Sequence, residues 1–389
     1  MRGGLEGVVV AETVMSHADG ETGEFWIRGH TLPELIARHG YEGTVAILWQ
    51  GFAGDGLTRG RIARDLGAAR SLASSRLGDW LGEAAKRPIG EALRLSLAML
   101  PEESEPAAIL GAFPVAIAAW LRRARGQQPV APDAALGTAA DLLRMIADAP
   151  ADPRQAEALD AYFTTIIENG LNASSFAARI IASSRASLVS AVLGAYCAFT
   201  GPLHGGAPGP TLDMLEEIER AGDRDAWFEK KLAAGERLMG FGHRVFADGD
   251  PRGEALAAAL RRLGREDRLA FAAEVEARAA AAFARLRPGR ELKPNVEIYA
   301  ALLLEAVGLP REAFTPVFAL ARAAGWLGHA MEQRQTARYI RPSSVYVGPK
   351  PSPNPPPHAG EGMGGGHADY SAAARGRRSR RNSATRARV

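Results

Sequence analysis

Cysteine is almost absent from this chain of 389 residues, whose one thiol belongs to Cys197. A single cysteine excludes an intramolecular disulfide and any metal cluster built from several thiolates. It is also typical of proteins from a reducing compartment. The first twenty residues contain no apolar run of the length that a secretory signal peptide requires. We therefore expect a cytoplasmic protein.

Long hydrophobic runs are scarce as well. The longest, "AAILGAFPVAIAAWL", contains a proline and is shorter than the roughly 20 residues that span a bilayer. We expect this segment to form a helix that is buried in the core. Hydrophobic residues make up 47% of the chain and charged residues 23%, which is the ordinary composition of a soluble globular protein with a sizeable core.

The chain also lacks the common sequence patterns of nucleotide and metal sites. No GxGxxG pattern follows a strand-like run, and neither GxxxxGK[ST] nor HExxH occurs. A phosphate-binding loop and a zinc-protease site are therefore without support. We expect the protein to use neither a metal nor an organic cofactor.

The net charge of +3 is unevenly distributed along the chain. Residues 350–389 hold eight basic and two acidic side chains, which leaves the rest of the chain mildly acidic. Because this segment is rich in proline, glycine and arginine and poor in large apolar groups, we predict a disordered tail. Its "RGRRSRR" string could bind nucleic acid or an acidic surface, but we favour a solvated extension and do not expect nucleic-acid binding.

Residues 1–349 are dominated by helical patterns. "TLPELIARHG" combines a leading threonine, an early proline and a closing glycine, which are signals of a helix start and stop. Apolar residues recur at spacings of three and four in "AADLLRMIADA", "TLDMLEEIERAG", "GEALAAALRRLG" and "FTPVFALARAAGWLGHAMEQRQ". His329, in the last of these, is interpreted as a helix-surface or satisfied core histidine. Strand-like patterns are confined to "EFWIRG" and "GVVVAET", so we predict an all-α fold.

Two histidines lie in turns that are marked by glycines, His204 in "GPLHGGAPG" and His243 in "GFGHRVFADGDPRG". Such turns present an imidazole to a ligand rather than bury it. Glu297 begins an apolar helix in "KPNVEIYAALLLEAVG", where the helix dipole alone is a sufficient structural explanation for a carboxylate. Two imidazoles and a carboxylate suit the removal of a proton from a weak carbon acid. The arginines that could bind a polyanionic substrate beside them are Arg252, Arg322 and Arg341.

Taken in order, these strings resemble the citrate synthase family, and the resemblance covers about residues 4–348. The matching segments are "GLEGVVVAET", "DGETGEFWIRGH", "NASSFAARIIASS", "GPLHGG", "GFGHRVF", "PNVEIY", "FTPVFALARAAGWLGHAMEQ" and "IRPSSVYVG". The resemblance implies a two-domain helical fold that forms a homodimer. It places residues 1–205 and 309–349 in a large domain and 206–308 in a small domain that closes over the substrates, with the tail 350–389 outside both.

The resemblance also implies a reaction, the condensation of acetyl-CoA with oxaloacetate to citrate and free CoA. Glu297 would remove a methyl proton, His204 would donate a hydrogen bond to the thioester carbonyl, and His243 would polarise the ketone. The residues implied to bind oxaloacetate are Arg252, Arg322, Asn169 and Arg341, the last reaching the site of the partner subunit. The residues implied to bind coenzyme A are Leu238, Met239, Gly240, Phe241, Gly242 and Arg244.

Three positions depart from the family pattern. Glu297 replaces the usual aspartate of "PNVDFY", and its extra methylene moves the carboxylate by about 1 Å, a misplacement that can cost about a hundredfold in rate. Asn169 replaces a histidine just before "NAS", so the side chain can donate a hydrogen bond but carries no positive charge. Ala247 replaces a basic residue near the CoA phosphates, for which Arg244 or Lys293 could substitute.

These departures leave alternatives to citrate synthase activity open. Weaker oxaloacetate binding or a different keto acid is the hypothesis attached to Asn169. The condensing enzyme could instead be a 2-methylcitrate synthase that uses propionyl-CoA, or it could cleave citryl-CoA in reverse. A weakly active or inactive paralogue that acts as a dimer subunit or regulator is the alternative of a different class.

Overall fold

The computed structural model describes residues 5, 7–19, 22–201, 204–205, 208–242, 250–288, 291–336 and 338–349. The chain divides into two compact units, residues 1–340 and 341–389. In the second unit the described residues, 341–349, are exposed and contain neither helix nor strand. The predicted tail, 350–389, lies outside the described residues. The predicted small domain, 206–308, lies within the first unit, and its boundaries stay predictions.

The first unit is built mainly of helices, which confirms the predicted all-α class. The segments predicted from "AADLLRMIADA", "TLDMLEEIERAG" and "GEALAAALRRLG" are helical in the structure. In chain order the helices are α1 (Leu32–Glu34), α2 (Gly40–Trp49), α3 (Arg59–Ser75), α4 (Leu81–Ala84), α5 (Ile89–Ala98), α6 (Pro106–Ala124), α7 (Thr138–Ala147), α8 (Pro153–Ile166), α9 (Ala173–Ser183), α10 (Leu188–Phe199), α11 (Pro208–Arg220), α12 (Arg224–Ala233), α13 (Pro251–Arg262), α14 (Glu266–Leu286), α15 (Val296–Ala306) and α16 (Phe314–Thr336). A π-helical turn covers Leu35–His39, and 3₁₀ turns cover Leu77–Asp79 and Arg311–Ala313.

A small antiparallel sheet precedes the helices. Its strands are β1 (Ser16–Ala18), β2 (Phe25–Ile27) and β3 (His30–Thr31), in the order β1-β2-β3. The strand predicted in "EFWIRG" is β2, which is confirmed. The strand predicted in "GVVVAET" is wrong, because residues 7–13 have no regular structure. The backbone N–H of Val14, just after this segment, donates to the Glu332 carboxylate at 2.8 Å rather than to a neighbouring strand.

The predicted helix "TLPELIARHG" starts as expected but does not stop at its glycine. The Thr31 hydroxyl caps α1 by accepting from the backbone N–H of Glu34. At Gly40 the chain takes a positive φ of 62° and continues directly into α2. A Cβ atom at this position would lie 2.8 Å from the Asp160 carboxylate, which accepts from the N–H of Tyr41 at 3.2 Å. Glycine therefore permits a bend between two helical segments here rather than an end.

Helix α6 contains the longest apolar run of the sequence. The helix extends beyond this run at both ends and is long and apolar enough to span a membrane by length and composition. However, 72% of its most apolar window is buried inside the protein. Pro114 lies within the helix and is itself buried. The prediction of a buried core helix is thus confirmed.

Helix α16 runs through the core and is buried along nearly its whole length. It packs against α6, α8, α9 and α10. Gly325 permits a close approach to the end of α8, since a Cβ atom there would lie 2.5 Å from the Ile167 carbonyl oxygen. This approach brings Arg322, one turn earlier on α16, beside the residues that follow α8.

Candidate active site

The segment 238–242 is hydrogen-bonded to the residues that begin α15. The N–H of Gly242 donates to the Lys293 carbonyl at 2.8 Å, and the N–H of Asn295 donates to the Gly240 carbonyl at 2.9 Å. Asn295 also caps α15: its Oδ1 accepts from the N–H of Glu297 at 2.9 Å, while its Nδ2 donates to the Gly242 carbonyl at 2.8 Å. The capping residue therefore connects Glu297 to the residue that directly precedes His243.

The far end of the same loop is also bound to α15. Asp250 caps α13 and pairs with Arg252 through two hydrogen bonds, Nε to Oδ1 at 2.9 Å and Nη2 to Oδ2 at 2.6 Å. Its Oδ2 further accepts from the N–H of Val296 at 3.2 Å. Both flanks of the segment 243–249 thus lie against the start of the helix that carries Glu297. His243, Arg244 and Ala247 themselves lie outside the described residues.

Glu297 has an unusual environment for a carboxylate. One of its oxygens, Oε2, is shielded from solvent and has no hydrogen-bond partner within the described part of the chain. Burial raises the pKa of this group from 4.5 to about 7, although the charges of Arg252 and Arg322 oppose the rise. A carboxyl group with a pKa near neutrality suits a general base that works at physiological pH.

His204 follows α10 and is fixed from two sides. Its Nε2 lies 2.9 Å from the Ser174 hydroxyl, which in turn accepts from the indole N–H of Trp326 at 3.0 Å. The ring of Phe199 packs edge-on against the imidazole with 5.2 Å between centroids. Burial and the nearby charge of Arg322 lower the pKa of His204 to about 4. The imidazole is therefore neutral at pH 7.

Arg322 is a buried arginine with spare hydrogen-bonding capacity. The residue is 3% exposed, and its Nε and Nη1 atoms have no partner among the residues that the structure describes. Its guanidinium lies 5.4 Å from the centre of the Phe318 ring. Burial lowers the pKa of Arg322 to about 10, against the effect of the Glu168 carboxylate. The group remains charged at pH 7 and can bind an anion.

Sequence reasoning missed a buried polar network behind Arg322. Glu168 Oε1 accepts from the Ser16 hydroxyl and pairs with His329 Nε2, each at 3.0 Å. His329 Nδ1 accepts from Arg179 Nε at 3.0 Å, so the histidine proton lies on Nε2 and is donated to Glu168. Arg179 also pairs with Glu332. His329 is thus a satisfied core histidine, one of the two interpretations of it.

The charge of Glu168 matters for the site. Burial alone would raise its pKa, but the interactions with His329, Arg322 and Ser16 outweigh burial, so the pKa of Glu168 is lowered. A second oxygen, Oε2, lies within 2.6 Å of where a Cβ of residue 325 would be. The carboxylate is therefore a fixed negative charge beside Arg322. The sequence held one signal of the network, the polar string "HAMEQ" inside an otherwise apolar helix.

The remaining predicted site residues differ in their exposure to solvent. Asn169 is half-buried and directly follows Glu168. Arg341 is exposed and belongs to the second unit. Of the residues predicted to bind coenzyme A, Leu238, Gly240 and Phe241 are buried, Met239 is half-buried and Gly242 is exposed. The structure thus brings His204, Glu297, Arg252 and Arg322 into one electrostatic environment.

Comparison with known proteins finds similar sequences over most of the chain. The family model described as citrate synthase, C-terminal domain, matches residues 4–343. A Mycobacterium tuberculosis protein named "Putative citrate synthase 2" is 37% identical over 356 residues, which cover 90% of this chain and 93% of that protein. The 2-methylcitrate synthase of the same organism is 33% identical, covering 89% of this chain and 90% of the relative.

A solved structure has the same fold. The crystal structure of citrate synthase from Thermotoga maritima superposes with a TM-score of 0.78 at 30% identity, covering 92% of this chain and 98% of that one. The family model and the two sequence relatives each span most of the chain. The chain therefore belongs to the citrate synthase family, a family of acyltransferases.

Proposed function

We propose that this protein condenses acetyl-CoA with oxaloacetate and releases citrate and free CoA. One observation carries the proposal. Glu297 is a carboxyl group with a near-neutral pKa, and His204 is a neutral imidazole. Both interact electrostatically with the same buried guanidinium, that of Arg322. These are a base, a neutral hydrogen-bond donor and an anion-binding group, which is what a carbon–carbon bond formation through an enolate requires.

Glu297 acts as the base in this proposal. The methyl group of a thioester is a weak carbon acid, so a carboxylate of ordinary basicity is poorly matched to it. With its pKa raised to about 7, Glu297 is a stronger base than a solvated glutamate and is about half ionised at pH 7. The charges of Arg252 and Arg322 keep this ionised fraction available.

His204 stabilises the enolate as a neutral donor. Asn172 Oδ1 already accepts from the N–H groups of Ser174 and Ser175, at 3.2 and 3.1 Å. The Ser174 hydroxyl also donates to Asn172 Oδ1, at 2.8 Å, and lies 2.9 Å from His204 Nε2. In this proposal the neutral imidazole of His204 donates an N–H hydrogen bond to the thioester oxygen as negative charge develops on it.

Oxaloacetate binds beside these groups, with its carboxylates on Arg252, Arg322 and Asn169. Arg341 of a second subunit completes the site in the proposed homodimer. His243 polarises the ketone that the enolate attacks and gives the new alkoxide its proton. Water then hydrolyses the citryl-CoA thioester, so that citrate and CoA leave. Residues 240–242 and Asp250 flank the segment that contains His243, and both are hydrogen-bonded to the start of α15, the helix that carries Glu297. These hydrogen bonds support the proposed place of His243 beside the base.

Coenzyme A binds along the segment 238–242 and Arg244. Gly240 and Gly242 have positive φ angles of 77° and 76°. A Cβ at Gly240 would lie 2.5 Å from Ile298 on α15, so glycine is required there. The absence of side chains at these two positions lets a nucleotide approach the backbone closely. The reaction needs no metal or cofactor, and the single thiol and the buried α6 support a soluble, cytoplasmic enzyme.

Propionyl-CoA is the second candidate donor. It is favoured by the similarity to the 2-methylcitrate synthase of Mycobacterium tuberculosis. Citryl-CoA cleavage is a further variant of the condensing enzyme. A weakly active or inactive paralogue is the alternative of a different class, and the departures at Glu297, Asn169 and Ala247 motivate it.

A thiol assay of CoA release tests the proposal. Purified full-length protein is supplied with oxaloacetate and either acetyl-CoA or propionyl-CoA, with Glu297→Gln as the matched control. We expect release with acetyl-CoA and little with the control. Faster release with propionyl-CoA would assign the second function, and silence with both donors at high protein concentration would refute condensation.

A further inference from the structure

Tyr162, in the middle of α8, has a buried hydroxyl that the structure leaves unpaired. The residue is 0% exposed, and its hydroxyl has no hydrogen-bond partner in the described part of the chain. Two other buried tyrosines differ. The Tyr41 hydroxyl donates to the Leu320 carbonyl at 3.3 Å, and the Tyr196 hydroxyl donates to the Gly90 carbonyl at 2.9 Å. A buried hydroxyl without a partner is rare in folded proteins and calls for an explanation.

The surroundings of Tyr162 contain further unpaired polar atoms. Helix α8 packs against both α15 and α16. From α15 comes the unpaired Oε2 of Glu297, and from α16 come the unpaired Nε and Nη1 of Arg322. The charges of both groups act on the phenol, whose pKa burial raises well above its ordinary range. Three adjacent helices therefore each contribute a buried polar group with unused capacity, which indicates a ligand pocket rather than three separate defects.

The chemistry of these atoms favours an anionic ligand. Tyr162 remains protonated and offers one O–H donor, and Arg322 offers N–H donors that cannot be titrated away. If Tyr162 served only to hold Glu297, the two would be expected to be bonded already in the absence of ligand, yet neither the Tyr162 hydroxyl nor Glu297 Oε2 has a hydrogen-bond partner among the described residues. A carboxylate placed beside Arg322 would accept from both donors at once.

We propose that Tyr162 is a substrate-binding residue whose hydroxyl donates a hydrogen bond to the keto-acid carboxylate held by Arg322. This inference rests on the proposed function and extends it to a residue of α8. The neutral phenol supplies a donor in a site where Asn169, unlike histidine, brings no positive charge. Substrate recognition then depends on α8 as well as on the arginines.

The test compares Tyr162→Phe with Tyr196→Phe, a matched control that removes a paired hydroxyl from another helix. Oxaloacetate binding is measured by calorimetry, and thermal unfolding is measured without ligand. We expect Tyr162→Phe to weaken oxaloacetate binding about tenfold, and to raise KM for oxaloacetate more than it lowers kcat. Its melting temperature without ligand should equal or exceed that of the parent, because no hydrogen bond is lost. Tyr196→Phe should show the reverse, lower thermal stability and unchanged binding.

Other results would overturn the inference. A parent-like oxaloacetate affinity in Tyr162→Phe refutes it while leaving the proposed function intact. Unchanged oxaloacetate affinity together with a shifted pH profile of activity would show that Tyr162 acts on Glu297 rather than on the substrate. If the parent protein itself neither binds oxaloacetate nor releases CoA, the proposed function fails, and this inference fails with it.

Discussion

Replacing Glu297 by glutamine should have opposite effects on activity and on stability. Glutamine keeps nearly the same shape but cannot take up a proton, so turnover should fall by about 10²–10⁴, the usual contribution of a general base. Oxaloacetate binding should remain nearly intact, because Arg252 and Arg322 are unchanged.

The stability effect can be worked from the pKa of Glu297, which rises from 4.5 to about 7 on folding. The folded protein binds this proton more tightly than the unfolded chain does. The glutamate's favourable contribution is therefore fully present below pH 4.5 and is lost as the pH rises through 7. A rise of this size corresponds to about 3 kcal/mol at 1.36 kcal/mol per pKa unit. Glutamine, neutral in both states, should thus make the protein more stable than the parent at pH 8 by up to about 3 kcal/mol, an advantage that vanishes near pH 4.

Urea unfolding of both proteins at pH 4 and pH 8 measures this difference, and CoA release measures turnover. Glu102→Gln, an exposed substitution before α6, should change neither. The parent's rate should also fall as the pH drops below 7, since less of the base is ionised. Near-parent turnover in Glu297→Gln would show that the base is wrongly assigned. Equal urea midpoints of parent and Glu297→Gln at pH 8 would show that its carboxylate is not buried.

Three further changes test other parts of the site. Asn169→His should tighten oxaloacetate binding severalfold in calorimetry by adding positive charge, and an unchanged affinity would show that residue 169 does not face the ligand. Glu168→Gln should lower the free energy of unfolding by about 3 kcal/mol, because it removes one partner of a buried charged network; a urea midpoint equal to that of Glu157→Gln, an exposed change on the preceding helix α8, would contradict this. Deleting residues 350–389 should leave CoA release intact, and an inactive truncation would overturn the view of this segment as a dispensable tail.

Local signals in the sequence were sufficient for much of the fold. A helix start such as Thr31 depends on a few neighbouring residues, and the apolar spacing of a helix depends on residues three and four positions apart. Both could therefore be predicted from the local sequence. The strand expected in residues 7–13 failed for the same reason. Strand formation depends on a pairing partner, and the backbone of Val14 instead meets Glu332, which is distant in sequence.

The candidate site likewise contains residues that the local sequence could identify and residues that it could not. His204 and Glu297 could be singled out because a turn rich in glycine and a helix start mark them locally. The network of Glu168, His329 and Arg179 could not, since Glu168 and Arg179 lie 161 and 150 positions from His329 and meet it only through packing of α8, α9 and α16. Tyr162 was missed because nothing in its own sequence neighbourhood distinguishes it from a core residue.

The first turn of α15 is anchored from two directions, by Asn295 toward Gly242 and by Asp250 toward Val296. Such anchoring prevents the backbone from sliding to accommodate a longer or shorter acid at position 297. The reach of the carboxylate is then set by side-chain length alone. Replacing Glu297 by aspartate would withdraw the carboxylate by about 1 Å, a distance on which reaction rates depend steeply.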